Sequence, residues 1–315
     1  MFDSSNQPQG TESSARTDPD DSKKTRKNAV EKLYSPKKVA AAIGVSESSL
    51  KRWCDAGYIK AVKTAGGHRR VAKAEVVSFI KRKNYELRDP VSIGLPDIRG
   101  VSFAGIDQAR LNFLKAMLES DQQTSDKILC LLFIRGHNVA EIFDRIISPV
   151  FCEIGEKCEA GQLDVYQERL ASQTCHRSLL ELRSIIPAVN EDAPIAIGAC
   201  LEDNRHELPT LGAELCLRNF GWKATSLGSN MPLTSVKQAA IDLRPSFVWI
   251  SATIIEDPAS FITKVNAFSE SIAAATKVVI GGRAVDSEIQ GRLTSATYCE
   301  NFAQLVMLAR LPEKP

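Results

Sequence analysis

Residues 63–71 read KTAGGHRRV, with two glycines set ahead of His68, Arg69 and Arg70. Paired glycines permit a tight reversal, and the three side chains that follow then project from a returning strand toward a phosphate backbone or a minor groove. Upstream, the segment ESSLKRWCDAG places Ser48, Ser49, Lys51 and Arg52 near the start of a predicted helix. In helix-turn-helix heads that is the part of the second helix that meets base edges in the major groove. Trp53 lies one turn from Leu50 and is assigned to the core. The chemistry implied is recognition of a polyanion.

The charge distribution supports this. The net charge is only +2, but residues 1–22 carry −4 and residues 23–84 carry 17 Lys and Arg against Glu31, Glu47, Asp55 and Glu75. The rest of the chain is mildly acidic. A basic segment on an otherwise acidic chain suits double-stranded DNA.

The elements that must position these groups follow from caps and periodicity. Residues 1–33 are polar, with almost no large apolar side chains, and are expected as a disordered tail. Ser35 and Pro36 open a helix that Gly44 ends, and Ser46 caps a second that Gly57 stops. A short strand from Tyr58, the glycine turn, a basic strand and a helix from Lys73 to about Asn84 complete a winged helix-turn-helix over 34–84. Residues 85–104, with Pro90, Gly94, Pro96 and Gly100, are expected as a linker. Residues 105–187 carry apolar residues at helical spacing, as in Ile142/Phe143, Ile146/Ile147 and Val150/Phe151, and predict a four-helix bundle. Across 193–311, apolar strands at 195–200, 223–227, 247–252, 278–280 and 297–299 alternate with helices. This predicts a flavodoxin-like, doubly wound parallel sheet, with its ligand at the loops after Cys200, Leu227, Ile250 and Ile280. The whole is a multidomain α and α/β chain.

The head resembles the MerR family and its excisionase-like relatives over residues 34–83, with GGHRR as the closest landmark. That resemblance implies binding as a dimer to an inverted-repeat operator near a promoter. The order of winged helix, bundle and sheet resembles the cobalamin-dependent, light-responsive repressors of the CarH and LitR type. The stretches that carry it are ISPVFCEIGEKCEAGQLDVYQERLAS, HELPTLGAELCLRNFGW, SLGSNMPLTSVKQAAIDLRPSFVWISAT and VVIGGRAV. The resemblance implies cobalamin as cofactor, with His206 as the lower ligand of its cobalt and Asn204 in place of an aspartate that would orient the imidazole. It also implies a nucleotide-tail groove at Ser251, Thr253, Gly281 and Gly282. Here the chain departs from the pattern. Pro209 replaces a glycine, Cys158 stands where a tryptophan is usual, and Glu168-Arg169 replace a Glu-His pair on the upper face.

Two further readings stand beside this one. In one, the sensor no longer binds cobalamin and serves for oligomerisation or partner binding. In the other, the chain is a corrinoid methyl carrier, which would have no use for a DNA-reading head. No enzymatic activity is expected. No apolar run approaches the roughly 18 residues that span a bilayer, and MFDSSNQPQG does not read as a signal peptide. The eight cysteines form no CxxC pair and are expected as reduced thiols in a cytoplasmic homo-oligomer.

Overall fold

The computed structural model describes residues 32–272 and 274–310, so most of the expected N-terminal tail lies outside the described residues. Leu33–Tyr34 (β1) pairs antiparallel with Arg69–Ala72 (β3), which also pairs with Val62–Lys63 (β2). Between them lie α1 (Pro36–Ile43) and α2 (Glu47–Asp55). The hydroxyl of Ser46 accepts from the Ser49 amide at 3.1 Å, Ser35 caps α1 in the same way, and Gly44 ends α1 in the left-handed region. Helix α3 (Lys73–Lys83) buries Val76, Val77, Phe79 and Ile80, the face its spacing predicts.

Residues 85–104 are less slack than a linker. The amides of Arg88 and Asp89 donate to Ala42 O, and a 3-10 turn over Pro90–Ile93 buries Pro90 and Ile93. A run of three apolar anchors, Pro90, Ile93 and Leu95, is too short to show a period.

The bundle comprises α4 (Ile106–Leu118), α5 (Gln122–Ile134), α6 (Val139–Ile142), α7 (Ser148–Glu159) and α8 (Val165–Arg183). A π-helical turn, Phe143–Ile147, joins α6 to α7. Head and bundle share one apolar cluster, which runs from Val39 and Ile80 to Leu129 and Phe133. Across that junction Lys73 pairs with Glu181 at 3.6 Å, and Lys81 Nζ sits 3.6 Å from the centre of the Phe133 ring.

Five parallel strands follow, β4 (Ile195–Cys200), β5 (Lys223–Ser226), β6 (Phe247–Ser251), β7 (Lys277–Gly281) and β8 (Thr297–Cys299). Their spatial order is β5-β4-β6-β7-β8, so the winding reverses between β4 and β6, and a crevice opens at the carboxyl ends there. On one face Val248 and Ile250 pack with α10 (Leu233–Leu243) and α11 (Pro258–Ser271), and Ile289 of α12 (Ser287–Arg292) joins them. On the other, Phe247 and Trp249 pack with α9 (Leu208–Asn219) and α13 (Phe302–Leu308). The bundle is keyed to this second face. Asp144, on the π turn, accepts from the amides of Phe302 and Ala303, both at 2.9 Å, and the Phe143 ring packs tilted against Phe302 with centroids 4.6 Å apart.

Candidate cofactor cavity and nucleic-acid interface

In the head, exposed basic side chains lie on α1, after α2 and on the wing. Lys37, Lys38, Lys60, Lys63 and His68 are exposed and make no ion pair among the described residues. Of the residues singled out in the sequence, Lys51 is paired with Glu47 at 2.8 Å, and Arg52 donates to Ser49 Oγ at 3.4 Å. Ser48 and Ser49 both share hydrogen bonds with Ser46 Oγ, at 2.9 Å each. Arg69 is bound to Asp55, while Arg70 reaches no carboxylate among the described residues and its side chain donates to Arg69 O. Trp53 is half-buried and packs against the core, on Phe79 at 5.0 Å. Lys37, Lys38, Lys60 and Lys63 carry no motif of their own, and their signal in the sequence is the charge run itself.

A cavity of ≈ 460 Å³ opens between α7, α8 and the carboxyl ends of β4, β6 and β7. Seven of the nine residues nominated for a cofactor line it, namely Glu168, Arg169, His206, Ser251, Thr253, Gly281 and Gly282. Cys158 and Asn204 do not. Cys158, in the last turn of α7, turns toward the start of α8, with its thiol 3.9 Å from Asp164 O. Asn204 is 3% exposed and wholly engaged elsewhere. Its Oδ1 accepts from Thr253 N, Thr253 Oγ1 and Ile254 N, and its Nδ2 donates to Ile254 O, each at 2.8 Å. Asn204 therefore staples the loop after β4 to the loop after β6 and gives His206 no hydrogen bond. Gly282 is structural as well, since a β-carbon there would collide with the carbonyl of Ala252.

His206 itself is half-buried on the cavity wall. Its ring makes no hydrogen bond or ion pair among the described residues. Burial holds its pKa below the usual value, opposed by Glu168 and reinforced by Arg169 and Arg283. A neutral, unpartnered imidazole keeps a lone pair free for a metal. Among the described residues no three His, Cys, Asp or Glu side chains gather as a metal site. The donor set thus suits a metal that brings its other ligands with it, as cobalt does in a corrin, and on this ground the lower wall fits the cofactor. Arg169 on the bundle side presents a guanidinium, which has only donors and offers no lone pair.

Other parts of the lining are not among the residues nominated from sequence: His176, which faces Glu207 at 3.7 Å, Arg205 and Arg283, and the aromatic residues Phe143, Phe151 and Trp249. Arg205 and Arg283 adjoin nominated residues in sequence. His176 lies seven residues beyond Arg169, on the same helix face.

Residues 33–84 match the helix-turn-helix domain family, and residues 111–183 match the B12 binding domain family. The chain joins a helix-turn-helix domain to a B12-binding domain. The B12-binding match covers the bundle, whose α7 and α8 form the cavity's outer wall. The chain is 32% identical over 145 residues to the HTH-type transcriptional repressor CarH of Myxococcus xanthus, across 46% of this chain and 48% of that protein. It thus spans about half the length of that relative. It is 23% identical over 282 residues to the repressor CarA of the same organism, covering 86% of this chain and 94% of that one. Among solved structures, the monomethylamine corrinoid protein of Methanosarcina barkeri superposes with a TM-score of 0.55 at 15% identity, over 65% of this chain and 98% of that one. This last likeness concerns the fold of the bundle and sheet. Among the described residues no helix is long and apolar enough to cross a membrane.

Proposed function

We propose that this protein is a DNA-binding transcription regulator, a repressor like its two relatives, whose B12-binding domain holds a cobalamin-type corrinoid through His206. The observation that carries the proposal is the neutral, unpartnered imidazole of His206 on the wall of a cavity between bundle and sheet. When bound, the corrinoid would supply a cobalt centre able to carry an exchangeable upper group. The protein's own residues would bind and shield it. His206 would donate from below, Gly281 and Ser251 would line the sheet side, and Phe151 and Arg169 would cover the bundle side. The head would bind as a dimer to an inverted repeat in the cytoplasm, with Ser48, Ser49 and Arg52 toward the bases and Arg70, His68, Lys60 and Lys63 toward phosphates.

The test is an absorbance spectrum after dark incubation with adenosyl-, methyl- and hydroxocobalamin, followed by desalting. Retained corrin bands that are lost or shifted in His206→Ala support the proposal. A second reading, a sensor without cofactor that serves oligomerisation, draws on Asn204 and Arg169, neither of which helps His206 hold cobalt. A protein that stays colourless yet binds DNA would favour it.

A further inference from the structure

We propose that Trp249 closes the inner end of the cavity against a nucleotide base, so that the domain favours corrinoids that carry no base or leave it in solvent. The inference rests on the corrinoid reading above. The chemistry is one of counting positions. A corrin leaves its cobalt two axial sites, one on each face. If His206 takes the lower one, a base tethered to the same ligand is displaced and must be either buried or solvated.

The cavity offers one apolar recess for it. From His206 the lining continues over the sheet, beneath α9 and α13, between Ala213, Val279, Cys299, Phe302 and Leu305. Trp249 ends that recess. Its side chain is 2% exposed and lies across Gly198 on the neighbouring strand, where any β-carbon would collide with the indole. The indole N–H donates to Thr210 Oγ1 at 3.0 Å. That hydroxyl is itself hydrogen-bonded to Ser226 Oγ at 3.1 Å, and Ser226 Oγ accepts from Gly228 N at 3.1 Å. The ring is thus fixed by shape on one side and by a hydrogen-bond chain on the other. Displacing it would leave the Trp249 N–H unpaired and a void above Gly198. The ring therefore takes up part of the space that a base entering the recess would need, and it cannot be moved aside without those losses.

The experiment compares cobinamide, which lacks the base, with hydroxocobalamin, using absorbance titration and equilibrium dialysis of the full chain. The wild-type protein is expected to bind cobinamide at least as tightly as hydroxocobalamin. Trp249→Ala, which opens the recess, should shift the affinity ratio toward hydroxocobalamin by about tenfold, the effect of burying part of one aromatic ring. Trp249→Phe, which keeps an aromatic ring there, should retain the wild-type ratio. A wild-type preference of about tenfold or more for hydroxocobalamin would overturn the inference while leaving the corrinoid reading intact. An unchanged ratio in a folded Trp249→Ala protein would do the same. Should that variant not fold, the wild-type ratio alone decides. If neither corrinoid is retained by a wild-type protein that still binds DNA, the corrinoid reading fails and takes the inference with it.

Discussion

Asp55, the last residue of α2, holds Arg69 of the wing in an ion pair. Helix α2 and the wing are therefore joined through a guanidinium that the sequence assigns to DNA. On the proposed DNA-binding reading, Asp55 would compete with phosphate for that cation. Asp55→Asn should tighten binding at low salt and steepen the dependence of log K on log salt by about one unit, since one more cation becomes free to release a counterion. Arg70→Ala should flatten the slope by about the same amount. Fluorescence anisotropy across a salt series reads both. A slope in Asp55→Asn equal to that of the wild type would mean that Arg69 stays off the DNA.

The acid response of the cavity follows from His206. Burial lowers the pKa of the folded imidazole, so an unfolded chain takes up this proton first as pH falls through about 6.5. The native state therefore loses stability below that point until the folded ring also protonates. Corrinoid affinity, which needs the neutral ring, should stay level from pH 8 through about 6.5 and decline only in more acid buffer. In His206→Gln the stability loss should be smaller over the same window, as measured by urea midpoints at several pH values.

Glu214 is 3% exposed and carries three partners: Arg183 and Arg218 at 2.9 Å and the Ser226 amide at 2.8 Å. Removing it strands two guanidiniums and an amide. Glu214→Ala should cost about 3 kcal/mol in urea unfolding, as for other broken buried pairs. A loss under about 1 kcal/mol would place it with ordinary surface pairs.

Asp144 closes the amino end of α13 across 158 residues of sequence. Asp144→Ala should cost about 1–2 kcal/mol, the usual worth of a lost cap, and free α13 from the π turn. Amide hydrogen exchange at Phe302 and Ala303 should rise in step. Unchanged protection would show that Phe143 alone holds the junction.

Much of this architecture was legible in the residues. The five apolar runs between Ile195 and Cys299 became the five strands, because a parallel sheet covered on both faces writes itself as short, continuous hydrophobic segments. Ser35, Ser46 and Gly44 marked helix ends because caps are local. What escaped notice depends on partners distant in sequence. Leu33–Tyr34 becomes a strand only because Val71 and Ala72 return beside it. The π turn at Phe143–Ile147 looks like ordinary helix in its spacing. Asn204 was placed beside His206 by resemblance, yet its amide is satisfied by the loop fifty residues on. The seven cavity residues that did converge sit at strand ends, where topology places them.

Helix α8 has 19 residues and is about 28 Å long at 1.5 Å per residue. Arg169 and His176 on it line the cavity, Glu181 grips Lys73 of the head, and Arg183 grips Glu214. A ligand in the cavity and DNA on the head would thus lean on the same helix. Thermodynamic linkage then makes the traffic two-way. By whatever factor an occupied cavity alters affinity for the operator, a bound operator must alter affinity for the ligand by the same factor. DNA would act as an effector of the sensor as fully as the sensor acts on DNA.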